Sequence, residues 1–482
     1  MNYKMIRYTA GLVLKIEAVL MLLPALVGLI YTERQALIYV LNAFICLAAG
    51  FAISLKKPED VQIHARDGFA TVAICWIVMS AFGALPFVIT KEIPSYVDAL
   101  FETASGFTTT GASILSDVEA LSHASLFWRS FTHWIGGMGV LVLILALLPI
   151  RGGSSMNLMK AESPGPSVTK FVPKVRESAK ILYIIYLGIT VLTFIALVIT
   201  GMKPFDAICM SVGAAGTGGF AVLNAGCAAY PAVQQWVLTI SMLMFGTNFT
   251  FWYLLIKRKP KSAFRMREVL VYFVIIVAAT TAILLNIRHS YIDMGKTTGN
   301  ALTDSAFQVA ALITTTGFST ADFNMWPSFS KTILVLLMFC GACAGSTGGG
   351  VKISRLMILA KSIKNELIKL IHPRIVRKIR LDGKEVENDV VTSTFVYFAA
   401  YLAVFIISMI IVSADEFSFA TNFTSVLATL NNIGPGLDAV GPAANYGGFG
   451  VLSKLVLTFD MIAGRLEIIP MLVMLNPGTW KK

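Results

Sequence analysis

The sequence predicts an all-α polytopic membrane protein in which four like-oriented repeats follow two extra N-terminal transmembrane helices. Three observations predict this fold. First, 56% of the residues are hydrophobic and 14% are charged, with a mean hydropathy of +0.74; soluble proteins carry about 25% charged residues. Second, four segments build up in the same way to a glycine: 98–111, 206–219, 304–317 and 421–434. The glycines lie 108, 98 and 117 positions apart, and the first three segments open with Asp98, Asp206 and Asp304. Third, the excess positive charge (+12) clusters in alternate loops, the positive-inside pattern of a multi-spanning protein.

A span needs about 20 apolar residues. Ten stretches qualify, at 8–30, 36–55, 68–90, 126–150, 179–201, 232–256, 268–287, 329–345 (continuing brokenly to 370), 390–413 and 450–475. The first carries Lys15 and Glu17 and has no small-residue cleavage site behind it, so it reads as a retained helix. Basic residues gather at Lys56, Lys57 and Arg66, at Arg151 to Lys180, at Lys257 to Arg267 and at Lys352 to Lys384, whereas 413–451 has no Lys or Arg. Both termini are therefore expected in the cytoplasm and all four glycine segments on the outer side. This alternation, rather than one basic face, argues against a nucleic-acid partner.

The divisions follow. Residues 1–66 form a two-helix appendage. The repeats occupy 67–150, 151–257 (with a Gly/Ser/Pro-rich linker at 151–178), 258–388 and 389–482. Each crosses the membrane twice and dips in once between, an M1–P-loop–M2 unit that starts and ends inside. Four such units share one orientation, unlike inverted-repeat transporters, and surround one pore. The basic stretch 361–388 begins as an amphipathic helix and breaks at Pro373. It suits either a juxtamembrane face holding anionic lipid or a docking face for a cytoplasmic partner.

The chemistry is expected in the glycine segments. Asp98 is a good N-cap for a half-helix ending at Thr108, whose C-terminal dipole and unpaired carbonyls then point toward a cation. Backbone oxygens can replace a hydration shell without adding a trapping charge. Glycine permits the positive φ that turns carbonyls inward. The second and fourth copies, GTGGF and NNIGP, depart from the TTTG of the first and third. The expected ring is thus four-part but not four-fold.

Two further signals stand out. Gly341, Gly345, Gly348, Gly349 and Gly350 interrupt the eighth span, so no continuous helix is expected at 341–350. Val351 separates Gly350 from Lys352, which excludes a nucleotide P-loop. A gate below the ring and a passive helix break both fit. Arg465 lies inside the last span, and an intramembrane Arg needs a partner or a wet cavity. It either faces the pore and bonds carbonyls of the 345–350 loop, or makes a structural pairing with Glu102 or another helix.

Five of the six cysteines lie in or beside apolar runs, and Cys340 and Cys343 have no redox context. The five histidines form no ligand cluster, and no HExxH, Gly-x-Ser-x-Gly or paired catalytic aspartates occur in the spans. Neither a structural metal nor an enzyme is expected.

The motifs FETASGFTTTGAS (101–113), HWIGGMGV (133–140), AGSTGGGVKISR (344–355), NNIGPG (431–436) and GRLE (464–467) together resemble the TrkH/TrkG branch of the Trk/Ktr/HKT superfamily of potassium transporters. The resemblance spans essentially the whole chain, including the two N-terminal helices. It implies K⁺ uptake across the bacterial plasma (inner) membrane, with K⁺ transported and no covalently bound cofactor. It also implies a homodimer with one pore per protomer and a cytoplasmic, nucleotide-binding regulator of the RCK-containing TrkA/KtrA type. On this sequence the implied filter falls on Thr109, Thr110 and Gly111, on Thr217, Gly218 and Gly219, on Thr315, Thr316 and Gly317, and on Asn432, Ile433 and Gly434. The implied gate comprises Gly345, Gly348, Gly349, Gly350, Lys352 and Arg465. Relatives with Ser at the first filter glycine tend to pass Na⁺, so glycine at all four favours K⁺. The alternative is a proton- or sodium-coupled symport, for which Glu102 is the one good carboxylate in a pore segment.

Overall fold

The computed structural model describes residues 1–56, 64–139, 175–375, 377–382 and 384–480. The expected linker 151–178 lies almost wholly outside them, as do Lys57, Arg151, Lys160, Lys170 and Lys174. The described chain is nearly all helical, with one two-stranded antiparallel hairpin, β1 (Arg380–Leu381) and β2 (Lys384–Glu385).

The appendage comprises α1 (Tyr3–Leu20), α2 (Leu22–Ile30) and α3 (Gln35–Ile53). Gly11 and Gly50 let α1 and α3 approach until a Cβ on Gly11 would stand 2.7 Å from the Gly50 carbonyl, the small-residue packing usual between membrane helices. Repeat 1 contains α4 (Ala65–Gly83), α5 (Leu85–Ile89), α6 (Tyr96–Phe107) and α7 (His123–Gly137). Repeat 2 contains α8 (Val175–Ile199), α9 (Pro204–Gly216), α10 (Ala232–Gly246) and α11 (Phe249–Ile256). Repeat 3 contains α12 (Arg267–Asp293), α13 (Thr298–Ile313), α14 (Ser328–Cys340) and α15 (Ile353–Ile371). Repeat 4 contains α16 (Asn388–Val412), α17 (Phe419–Leu430), α18 (Val451–Arg465) and α19 (Ile469–Leu475).

Among the described residues, six helical stretches are long and apolar enough to span: 3–30, 35–53, 66–89, 177–199, 267–293 and 388–415. They are the appendage helices and the first helix of each repeat. The second helices differ from expectation. A break was expected in the third repeat alone, yet α10 and α11 meet at 95°, and α18 stops at Arg465. Each break has a local cause. Asn248 caps α11, its side chain accepting from Thr250 N at 2.8 Å. Pro470 sits in the first turn of α19, where its ring excludes a helical carbonyl four residues back, at Leu466. In repeat 1, α7 ends at Gly137 and Gly139 takes φ 81°; the rest of the expected 126–150 span lies beyond the described residues.

The short helices also correct an expectation. Ser95, not Asp98, caps α6, with its hydroxyl accepting from Asp98 N. Asp98 and Asp206 both occupy the third helical position, as does Thr421 behind its cap Ser418. Asp304 lies a turn deeper, because a Thr297–Asn300 capping box starts α13 earlier.

The repeats close into a ring. The second helix of each repeat packs on the short helix of the next: α7 on α9, α10 on α13, α14 on α17, and α18 back on α6.

Candidate functional site

All four short helices end in the same hydrogen-bonded cap. The N–H groups of Thr110, Gly218, Thr316 and Ile433 bond to carbonyls five residues back, at Ser105, Gly213, Ala311 and Ala428. The preceding N–H groups, of Thr109, Thr217, Thr315 and Asn432, bond three back. This is the Schellman pattern, and it requires a left-handed residue. Thr109, Thr217, Thr315 and Asn432 supply it at φ 58°, 56°, 58° and 55°. A β-branched side chain resists that conformation, and such strain concentrates at functional sites.

Two residues later the chain turns left-handed again, at Gly111, Gly219, Gly317 and Gly434. A Cβ on Gly111 would lie 2.0 Å from the Gly218 carbonyl oxygen. On Gly219 it would lie 2.0 Å from Thr316 O, on Gly317 1.9 Å from Ile433 O, and on Gly434 2.7 Å from Thr110 O. Each glycine therefore abuts a carbonyl of the next repeat, and the fourth returns to the first. The twelve residues expected to act together do meet, in one ring. A cavity of about 370 Å³ opens over it, touching Gly111, Gly219, Gly317 and Gly434.

The ring is buttressed differently from repeat to repeat. Hydroxyls of Thr108 and Thr110 bond at 2.8 Å, and those of Thr314 and Thr316 at 2.7 Å. In repeat 2, buried His133 replaces them: Phe220 N donates to its Nε2 at 3.2 Å, so Nδ1 carries the proton given to Gly106 O at 2.8 Å. In repeat 4, Asn432 Nδ2 donates to Thr110 Oγ1 (3.0 Å) and Met461 O (2.8 Å), and Tyr446 donates to Gly434 O at 2.7 Å.

Glu102 serves the scaffold. It takes hydrogen bonds from Ser113 Oγ and Ile114 N, just past Gly111, and pairs with Arg129 at 2.8 Å. Gln308 holds the matching position in repeat 3 with the direction reversed, donating to Ser319 Oγ at 2.9 Å. The alternative pairing of Glu102 with Arg465 is thus not what forms.

The segment 341–352 lies directly against the ring. Gly349 N donates to Thr315 Oγ1 at 2.6 Å. A Cβ on Gly348 would meet Thr314 O at 2.8 Å, and one on Gly349 would meet Asn431 O at 2.4 Å. Gly350 closes the neck against Gly341, and Lys352 Nζ donates to Gly348 O. Gly345 stands apart, its carbonyl accepting from Phe249 N at 2.9 Å where α11 begins. Arg465 donates to Thr347 O at 2.8 Å, and to Gly136 O and Gly137 O at 2.6 and 2.5 Å. It therefore ties the loop to the C-terminal carbonyls of α7. Glu467 turns away to pair with Arg355.

Sequence reasoning passed over His133, Arg129 and Tyr446. His133 carried one signal, an imidazole amid an apolar span beside two glycines. Tyr446 carried none.

A family model described as TrkH, cation transport protein, matches residues 34–478. Among curated proteins, the Trk system potassium uptake protein TrkH of Salmonella typhimurium is 36% identical, with all of both chains covered. TrkG of Escherichia coli, also named a Trk system potassium uptake protein, is 31% identical over all of this chain and 99% of its own. The crystal structure of the potassium transporter TrkH from Vibrio parahaemolyticus superposes with a TM-score of 0.89 at 33% identity, covering both chains fully.

Proposed function

The chain belongs to the TrkH family of cation transport proteins, and we propose that it takes up K⁺ through the ring of glycine loops. The observation that carries this reading is the closed sequence of glycine-to-carbonyl contacts, one per repeat. Such a ring offers uncharged oxygens of fixed spacing in place of an ion's hydration shell. Its layers comprise Thr109, Thr217, Thr315 and Asn432, then Thr110, Gly218, Thr316 and Ile433, then Gly111, Gly219, Gly317 and Gly434. The cavity over the ring is the outer mouth, both termini lie in the cytoplasm, and the membrane is the bacterial inner membrane. The protein is a homodimer governed by an RCK-type, nucleotide-binding cytoplasmic subunit; the exposed basic residues from Lys257 to Arg265 support such a partner.

The 341–352 loop is the gate, and Arg465 is its latch. The guanidinium offers several donors and stays charged, which suits three carbonyls from two elements. A hydrogen bond to a charged group contributes roughly 1.5–3 kcal/mol. Arg465→Ala should therefore raise the open population by about one to two orders of magnitude.

Purified protein in liposomes, assayed for K⁺ and Rb⁺ flux with and without a pH gradient, tests the reading. Expected are K⁺ and Rb⁺ flux down their own gradients and higher partner-free flux in Arg465→Ala. Flux that collapses with the proton gradient would replace the pore by coupled symport. Unchanged or lower flux in a folded Arg465→Ala protein would make the loop structural.

A further inference from the structure

A second built cleft, of about 550 Å³, lies at the far end of α12 from its glycine loop. Arg267 opens α12 there, α15 contributes Lys361 and Lys364, and Arg377, Lys378 and Arg380 come from the chain leading into the hairpin. The hairpin is tied to both helices: Asp382 Oδ1 accepts from Arg267 N at 2.7 Å, and Lys361 Nζ donates to Arg380 O at 2.5 Å. Against these six cations, Glu385 is the one carboxylate among the described lining residues, and it bonds Lys378 and Arg380 at 2.8 and 3.4 Å. The cleft therefore keeps a positive excess, which suits a phosphate.

Its depth narrows the source of that phosphate. The 27 residues of α12 extend about 40 Å, longer than the roughly 30 Å hydrocarbon core, so its Arg267 end stands at headgroup level. Exposed Leu270, Val274 and Val277 follow along the span. On α15, Ile363, Leu367, Leu370 and Ile371 are exposed beside the face bearing Lys361 and Lys364. A basic cleft bordered by an exposed apolar strip complements one molecule with an anionic head and apolar tails.

We propose that this cleft binds an anionic phospholipid of the cytoplasmic leaflet, its phosphate among Arg267, Lys364 and Arg377 and its acyl chains along the apolar strip of α15. The assignment to that leaflet rests on the orientation proposed above. The full-length protein would be purified in gentle detergent, exposed to phosphatidylglycerol or phosphatidylcholine, and read by native mass spectrometry. The variant is Lys364→Gln/Arg377→Gln/Lys378→Gln, three exposed side chains whose loss should leave gel-filtration behaviour intact. Wild type should retain phosphatidylglycerol over phosphatidylcholine, and the variant should retain it about a hundredfold less, at roughly a factor of five per basic residue removed. Equal retention by the variant overturns the proposal. So does capture of ATP or inorganic phosphate at this cleft without phosphatidylglycerol, which would make the ligand soluble. A variant that becomes monomeric with lipid retention unchanged would make the strip an interface between copies, again overturning it. Rb⁺ flux in phosphatidylcholine vesicles should match in both proteins; absence of flux in wild type would count against transport without touching lipid retention.

Discussion

Repeats 1 and 3 hold their glycine loops with their own threonines, whereas repeats 2 and 4 borrow from neighbours. In the odd repeats a hydroxyl pair, Thr108–Thr110 or Thr314–Thr316, braces the loop from within. In repeat 2 the corresponding positions are Gly216 and Gly218, and His133 of repeat 1 fills the space: Cβ atoms there would come 2.2 Å from His133 O and 2.1 Å from its Cγ. In repeat 4, Asn431 donates to Tyr401 OH of its own repeat at 2.8 Å, and the borrowed contact is that of Asn432, which donates to Thr110 of repeat 1. Yet the left-handed turns and the cap hydrogen bonds are the same four times. What repeats is the backbone; the side chains are four solutions to holding it. The filter proposed above would demand this, because in it the carbonyl positions carry the chemistry.

The sharpest way to break this contrast is at Gly218. Thr110 and Thr316 occupy the same position in the odd repeats, so a side chain is tolerated there in principle. In repeat 2 the imidazole has taken the room. Gly218→Ala should cut Rb⁺ flux in liposomes on the order of a hundredfold, from overpacking of a buried site. Thr110→Ala should remain active. A fully active Gly218→Ala would mean that His133 yields easily and that repeat 2 is no more constrained than repeat 1.

At the ring glycines the repeats should behave alike, since all four turn left-handed. Gly111→Ser and Gly219→Ser each place a Cβ against a carbonyl of the next repeat, at a φ that L-residues resist by about 1–2 kcal/mol. K⁺ over Na⁺ preference should fall by up to about thirtyfold in either, read from reversal potentials in mixed salts. Wild-type potentials in both would remove the carbonyl ring from ion selection.

The parts of this plan that were legible in the sequence are those written in spacing. The glycine segments and the glycine cluster at 341–350 marked the four loops that meet in the ring and the segment that lies against them. Arg465 was legible because a charge in an apolar span is costly. The breaks after Gly246 and Arg465 were missed, although Pro470 signalled the second. Asp98 sits three residues inside the cap, because Ser95 takes that position and accepts from Asp98 N. The role of His133 was only faintly marked, since its partner Phe220 lies 87 residues away in the next repeat, and Tyr446 reaches Gly434 within its own repeat with no mark in the spacing.

Repeat 4 sharpens the comparison next. Asn432→Ala removes the hydrogen bonds to both Thr110 Oγ1 and Met461 O, each worth about 0.5–1.5 kcal/mol. Flux or selectivity should drop about tenfold. The damage should extend to repeat 1, because Thr110 then has only Thr108.

The smallest effect should come from the odd repeats' own braces. Thr314→Val keeps the shape of the side chain and removes its hydroxyl, which bonds Thr316 Oγ1 and the Ala310 carbonyl at 2.7 Å each. Neither partner is stranded: Thr316 Oγ1 can turn its proton to another acceptor, and the Ala310 carbonyl already accepts from Thr314 N. The net loss is therefore that of an ordinary neutral hydrogen bond, about 0.5–1.5 kcal/mol, and flux should fall only about threefold. Thr108→Val should match it, because repeat 1 shows the same pair of bonds. The measurement is K⁺ flux and reversal potential for both variants beside Asn432→Ala. If either valine variant is as damaging as Asn432→Ala, the odd loops depend on their hydroxyls more than a self-braced backbone should. The division between self-braced and neighbour-braced repeats would then not hold.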